Sequence, residues 1–243
     1  MIWPVRRVIC LPTYNERENL EPMVHALGGL GLEGLEVLVI DDGSPDGTGG
    51  IADRLAEELP WVHVLHRTRK EGLGPAYLAG FARALELGAD FVFEMDCDFS
   101  HDPADVARLI ATCEGGTDLA LGSRWVDGGG TVNWGLLRRF ISRGGSLYAQ
   151  VLLGLGIRDL TGGFKCYRRA VLETIDLDEI DSRGYAFQIE TTYRTIRAGF
   201  RVVEVPITFS DREVGGSKMS KSIVVEAIWK VPALRFRALT NRL

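Results

Sequence analysis

The sequence predicts an α/β fold: a mainly parallel sheet with helices on both faces. Three observations point there. Short apolar runs alternate with stretches of helical spacing from residue 8 to residue 121, and β-α repetition of that kind builds parallel sheets covered on both sides. Each apolar run ends in residues capable of chemistry, and ligands on such sheets sit outside the carboxyl ends of the strands. The composition, 46% hydrophobic and 25% charged over 243 residues, is that of a packed globular protein and argues against disorder or a disulfide scaffold.

The elements follow in order. Residues 8–11 form a strand running into Pro12-Thr13-Tyr14-Asn15-Glu16, and residues 15–27 have helical spacing. Residues 35–40 are a strand closed by Asp41-Asp42, and a helix passes through 51–55. Strand 62–65 ends at His66-Arg67, helix 76–87 follows, and strand 91–95 ends at Asp96-Cys97-Asp98. Helix 104–113 leads to strand 118–121 and Ser123-Arg124. The second part is less regular. Residues 134–155 read as one or two basic amphipathic helices, 201–205 as a strand closed by Pro206, and 222–239 as an amphipathic C-terminal helix interrupted at Pro232. The organisation expected is a catalytic domain over 1–215 that includes the helices at 134–155. A loop and helix at 216–243 then pack on it or on a membrane surface.

Net charge is −5, unevenly spread. Residues 135–169 carry seven Lys/Arg against one acid, and residues 212–243 carry seven against two, so the remainder holds −16. Two basic segments on an acidic body suit an anionic ligand or surface, or else solvated helix faces. No apolar run reaches the roughly 18 residues of a membrane span, and the N-terminus lacks a signal-peptide core. Cys10, Cys97, Cys113 and Cys166 form no CxxC pair, which predicts reduced thiols in a cytoplasmic protein.

Asp96 and Asp98 flank one residue at the end of a hydrophobic strand. Two carboxylates so spaced can converge on one divalent cation while a diphosphate supplies further oxygens, and hard Mg²⁺ or Mn²⁺ suits such ligands. The turn from Asp41 to Thr48 offers carboxylates to ribose or base donors, or is an ordinary Asx-rich turn. Tyr14 can stack on a base and Glu16 accept from one, although Thr13 or Asn15 also read as helix caps. Asp159-Leu160-Thr161-Gly162-Gly163-Phe164-Lys165 sets two glycines between an acid and a base. Gln188-Ile189-Glu190 puts a carboxylate in an amphipathic helix, and Asp211 to Lys218 is a loop with cations suited to phosphates.

Taken together, Leu11 to Glu16, the Asp41 turn, Asp96-Cys97-Asp98 and Gly122-Ser123-Arg124 resemble the family 2 inverting glycosyltransferases. Adding Ser142-Arg143-Gly144, the Asp159 loop and Asp211-Arg212 through Ser217-Lys218 makes the resemblance closest to dolichol- or polyprenol-phosphate mannose synthases, over nearly the whole chain. The resemblance implies a GT-A fold and GDP-mannose as donor. It implies that Pro12, Tyr14, Glu16, Ile40 and Asp42 line the nucleotide pocket, and that Asp96 and Asp98 hold metal and diphosphate beside the backbone of Cys97. Arg124, Arg212 and Lys218 would contact donor phosphates, and Arg138, Arg139 and Arg143 the phosphate of a polyprenyl or dolichyl acceptor. Two departures stand out: Cys97 occupies the middle position where Ala is usual, and Ser100 stands where some relatives have a metal-ligating Gln. Many relatives carry C-terminal membrane helices; this chain resembles the soluble catalytic type, docked on the cytoplasmic face of a membrane or on a separate anchor subunit through helices 134–155 and 222–239.

That acceptor class needs no general base, because a phosphate monoester is already largely ionised near neutral pH (second pKa about 6). Rival readings are a sister transferase using UDP-glucose or UDP-N-acetylglucosamine, and a non-catalytic nucleotide-sugar sensor. Lys218-Met219-Ser220-Lys221-Ser222 is a literal KMSKS, but no HIGH-type partner motif accompanies it. Gly72-Leu73-Gly74 lacks the third glycine of a dinucleotide fingerprint, since Tyr77 occupies that position. His63 and His66 have zinc-like spacing without further ligands. No nucleic-acid partner is expected.

Overall fold

A computed structural model describes residues 5–211 and 221–240. Arg212 and Lys218, expected at the donor phosphates, and most of the KMSKS run lie outside the described residues. The core is a seven-stranded sheet in the order β3-β2-β1-β4-β7-β5-β8, where β1 is Arg7–Thr13, β2 Leu35–Asp41, β3 Val62–His66, β4 Phe91–Glu94, β5 Leu119–Ser123, β7 Lys165–Arg168 and β8 Val202–Pro206. All neighbours pair parallel except β7, which is antiparallel to both β4 and β5. A small parallel pair, β6 (Gly130–Val132) with β9 (Thr208–Ser210), stands beside it.

Period-two alternation sends successive strand residues to opposite layers. Ile9, Leu11, Val37, Val39 and Phe93 pack on α1 (Leu20–Gly28), α2 (Thr48–Glu58) and α4 (Asp105–Glu114). Val8, Cys10, Leu38, Ile40 and Val92 pack on α3 (Leu73–Glu86), α6 (Arg169–Thr174) and Phe187 of α7 (Gly184–Arg197). The first helix starts at Leu20 and not at residue 15, because Asn15 takes a left-handed φ of +56° and the intervening residues turn back toward β2.

Beyond the sheet, α5 (Leu136–Leu153) and α8 (Lys221–Leu239) pack with α7 around Ala149, Leu153, Ile189, Tyr193, Val231 and Leu234. Pro232 does not interrupt α8. A proline at this position has no N–H to give the carbonyl four residues earlier, that of Ile228. The Tyr148 hydroxyl of α5 donates to that carbonyl at 2.8 Å, so the freed acceptor is satisfied from a neighbouring helix. Among the described residues no helix is long and apolar enough to cross a membrane.

Candidate active site

The carboxyl ends of β1, β2, β4 and β5 open into one cavity of about 660 Å³. Its first end is built by the turns after β1 and β2, which are stitched together. Backbone N–H groups of Asn15, Glu16 and Arg17 donate to Ser44 Oγ, Thr48 Oγ1 and Asp46 Oδ2 at 3.1, 3.1 and 3.3 Å. Asp41 is spent internally on Ser44 and Thr13. Asp42 instead lines the cavity with Pro12, Tyr14 and Glu16. Burial raises the Asp42 pKa, and the Arg67 guanidinium paired with it opposes that rise. The Lys70 ammonium stands 4.0 Å over the Tyr14 ring. Ile40 does not reach this surface: α3 crosses so closely that a Cβ at Gly80 would fall 2.4 Å from Ile40 Cδ1, and the side chain is wholly in the core.

At the centre, Asp96, Cys97 and Asp98 follow β4, and all three line the cavity. Asp98 Oδ1 accepts from the Ser100 N–H at 3.0 Å and from its Oγ at 2.5 Å. Ser100, expected as a third metal ligand, also lines the cavity, and its two hydrogen bonds fix the Asp98 carboxylate in place. The Asp96 N–H donates to His101 Nδ1 at 3.4 Å, and the Tyr77 hydroxyl donates to Asp96 Oδ1 at 3.4 Å. His101 is stacked on Phe164 with centroids 4.8 Å apart. Burial lowers its pKa to about 4, so it is neutral at pH 7 and its Nδ1 accepts. No cluster of three His, Cys, Asp or Glu fit to hold a metal exists among the described residues. Two hard carboxylates nonetheless match a divalent ion that takes its remaining ligands from a diphosphate and water, as Mg²⁺ commonly does.

The far end is framed by aromatic rings and by α5. Arg124, expected on the donor phosphates, lines the cavity but is committed elsewhere. Its Nε and Nη2 donate to Asp159 Oδ2 and Oδ1 at 2.7 and 2.6 Å, its N–H to Oδ2 at 2.9 Å, and Nη2 also to Thr161 Oγ1 at 3.0 Å. Burial opposes the Arg124 charge, and the Asp159 carboxylate outweighs it, raising the pKa. Arg138 and Ser142 lie four residues apart on one face of α5, and Trp134 precedes the helix on the same side. Arg138 stacks 4.2 Å over Trp134 and pairs with Asp211 at 2.6 Å. Trp134 Nε1, Arg138 Nε and Ser142 Oγ are buried without a hydrogen-bond partner. Trp134 and Arg138 line the cavity, and Ser142 lies one turn further along α5. Arg139 and Arg143, expected there too, are solvent-exposed and do not line the cavity, because both lie on other faces of the helix.

Several cavity residues escaped the sequence reading. His101 carried a usable signal, three residues past Asp98. Tyr185 and Gln188 of α7 and Glu226 of α8 line the same cavity; Gln188 falls in a run read only for Glu190, and nothing local in the sequence marks Tyr185 or Glu226. Lys165, read as a loop base, is fully buried instead. Its Nζ turns into α7 and away from any ligand, and burial lowers its pKa from 10.5 to about 8. Glu190 is likewise interior, bonded to Arg194 at 2.9 Å and to Ser182. His63 and His66 bond to Glu36 and Asp53 separately, at 2.7 Å each.

A cavity with a carboxylate pair at the carboxyl ends of a mainly parallel sheet is the setting in which such folds bind nucleotides. The chain belongs to glycosyl transferase family 2, whose model matches residues 8–176. It is 50% identical over 238 residues to the polyprenol monophosphomannose synthase of Mycolicibacterium smegmatis, covering 98% of this chain and 89% of that protein. It is also 50% identical over 243 residues to the undecaprenyl-phosphate mannosyltransferase of Micrococcus luteus, covering 98% and 99%. Among solved structures it shares its fold with glucosyl-3-phosphoglycerate synthase from Mycobacterium tuberculosis in complex with Mn²⁺, UDP-glucose and phosphoglyceric acid (TM-score 0.71, 17% identity, 96% of this chain and 80% of that one).

Proposed function

We propose that this enzyme transfers mannose, with inversion, from GDP-mannose to a polyprenyl monophosphate, giving a lipid-linked mannose donor. The observation that carries the reading is 50% identity, over 98% of the chain, to two relatives whose names specify mannosyl transfer to polyprenyl phosphates, with Trp134 and Arg138 lining the same cavity as Asp96 and Asp98. The nucleotide lies over β1 and β2, with Tyr14 against the base and Glu16 and Asp42 on polar edges. Asp96 and Asp98 hold Mg²⁺ or Mn²⁺ with the diphosphate; the ion offsets negative charge on the departing nucleotide. The acceptor phosphate lies against Arg138, Ser142 and Trp134, and Arg124 supports that pocket through Asp159. Arg212 and Lys218 are assigned by sequence to the donor phosphates.

An ionised phosphate oxygen can attack the anomeric carbon in line without losing a proton. Asp96 and Asp98 therefore act by binding, and no general base is required. The outer face of α5 carries exposed Leu136, Leu137, Phe140, Leu147 and Val151, and α8 carries Ile228, Trp229, Phe236 and Leu239. With Arg139 and Arg143 also exposed, these helices suit a peripheral seat on an anionic membrane surface or on an anchor subunit there.

The test is a donor panel of radiolabelled GDP-mannose, UDP-glucose and UDP-N-acetylglucosamine with polyprenyl phosphate and Mg²⁺. Transfer from GDP-mannose is expected. Transfer only from a UDP-sugar would overturn the donor assignment, and GDP release independent of polyprenyl phosphate would overturn the acceptor.

A further inference from the structure

The two carboxylates after β4 are held by more than their own short turn. Phe99, next to Asp98, takes a left-handed φ of +57°, a conformation that a side chain of this bulk rarely adopts. The chain folds back there, and His101 Nδ1 accepts from the Asp96 N–H at 3.4 Å. An imidazole nitrogen that accepts carries no proton, so the ring proton sits on Nε2. The ring is 2% exposed, stacked on Phe164 with centroids 4.8 Å apart and meeting Phe209 edge-on at 5.1 Å. From the other layer of the fold, the Tyr77 hydroxyl of α3 donates to Asp96 Oδ1 at 3.4 Å. Tyr77 is wholly buried, stacked on Phe187 and Phe81 with centroids 6.1 and 5.9 Å apart. A buried phenol needs an acceptor, and Asp96 Oδ1 supplies it.

These contacts bear on what the pair can bind. Carboxylates two residues apart repel each other, so without a cation both gain by turning away from one another. A divalent ion needs them convergent, and a site already set before its ligand arrives avoids the cost of ordering side chains on binding. Ser100 sets Asp98. For Asp96 the corresponding contacts come from Tyr77 and His101, each locked in its own aromatic cluster. We propose that Tyr77 and His101 are positioning residues for the metal and diphosphate site. The phenol sets the rotamer of Asp96 and the imidazole sets its main chain, so that Asp96 faces the same ion as Asp98. This rests on the metal and diphosphate reading of the two carboxylates and extends it to two residues that act through Asp96.

The test is titration calorimetry of GDP, with Mg²⁺ and separately with chelator, on the wild type, Y77F, H101F and H101N. Phenylalanine keeps a ring at either position and removes one hydrogen bond; asparagine restores an acceptor at the place of Nδ1. Y77F and H101F should each weaken GDP about 3- to 10-fold in Mg²⁺, the effect of one hydrogen bond, while binding in chelator stays within about two-fold of the wild type. H101N should bind within about two-fold of the wild type in both conditions. Equal losses with and without Mg²⁺, no loss in Y77F and H101F, or an H101N as weak as H101F overturns the proposal. A loss confined to Y77F or to H101F upholds that residue and overturns the other. If H101F does not fold, Y77F, which keeps the Tyr77 ring contacts, decides the matter. A wild type that responds to Mg²⁺ with UDP and not with GDP overturns the base assignment alone, and the same comparison is then read with UDP. A wild type whose binding of either nucleotide ignores Mg²⁺ overturns the metal reading and the proposal with it.

Discussion

Replacing Asp159 by Ala should destabilise the protein far more than loss of one surface contact would. Asp159 is fully buried and Arg124 is 6% exposed. The carboxylate accepts from three Arg124 donors, and beyond it the guanidinium donates to Thr161 Oγ1 and otherwise meets only aromatic rings among the described residues. Removing one member of a buried pair strands the other charge in a poorly solvated site, at about 3–5 kcal/mol. For a chain of this size each kcal/mol moves Tm by about 2–4 °C, so D159A should melt about 6–20 °C below the wild type in scanning calorimetry. The double variant R124L/D159L should recover most of that loss, because no charge remains to strand. A D159A melting point within about 3 °C of the wild type would refute the reasoning, as would a double variant no more stable than the single one.

Other consequences are separable by assay. R138A should lower kcat/KM for a short-chain polyprenyl phosphate roughly 10- to 100-fold, the range for a lost charge-assisted contact, while R143A on the same water-dispersed acceptor should change it less than about two-fold; steady-state kinetics check both. The paired substitution F140S/W229S should weaken sedimentation with anionic vesicles at least about 10-fold, since each ring buries apolar area worth about 1.5–3 kcal/mol, with kcat on the short-chain acceptor little changed. D98N should abolish the Mg²⁺ dependence of GDP-mannose binding, as measured by calorimetry with and without chelator. Lys165 gives a pH prediction. Its folded pKa of about 8 lies below the unfolded 10.5, so the unfolded chain holds the proton more tightly, the cost is fully present below pH 8, and stability is regained as pH rises from 8 to 10.5. That window is worth roughly 3 kcal/mol, and the Tm difference between wild type and K165M should shift in favour of the wild type across it.

The sheet's parallel part was legible because its strands are mostly apolar, broken only singly by Glu36, His63 and Glu204, and are closed by polar residues or proline. The antiparallel β7 was not, because its four residues, Lys165 to Arg168, begin and end in cations. Lys165 is tolerated inside only through acceptors on α7, a tertiary fact with no local trace. Ile40 illustrates the opposite error: a family position was carried over by alignment of motifs, but the close approach of α3 at Gly80 turns that side chain into the core. The carboxylate pair and the nucleotide turn could be located because their residues are contiguous. Which of Arg138, Arg139 and Arg143 faces the cavity was not legible, since the choice requires the rotational phase of α5, and three nearby basic candidates do not fix that phase. Pro232 misled for a related reason, because its missing hydrogen bond is repaired by Tyr148, distant in sequence.

That phase explains how one helix can serve both ends of a lipid phosphate. The inward face of α5 runs from half-buried Arg138 through buried Ser142 and Ser146 into the apolar Ala149 and Leu153. Its outward stripe, Leu136, Phe140, Leu147 and Val151, is apolar and exposed. A polyprenyl phosphate presents the same division, an anionic head on a hydrocarbon chain. Along such a helix the head can reach Arg138 while the chain stays on the side that faces acyl tails, so neither part crosses a surface of the wrong polarity. Arg139 and Arg143, removed from the cavity, then have a place that their exposure permits, beside lipid headgroups, where each cation contributes about 1 kcal/mol to surface attraction. On the proposed function, charge near the reacting phosphate and charge near the membrane are distinct roles of one basic segment, divided by helical phase.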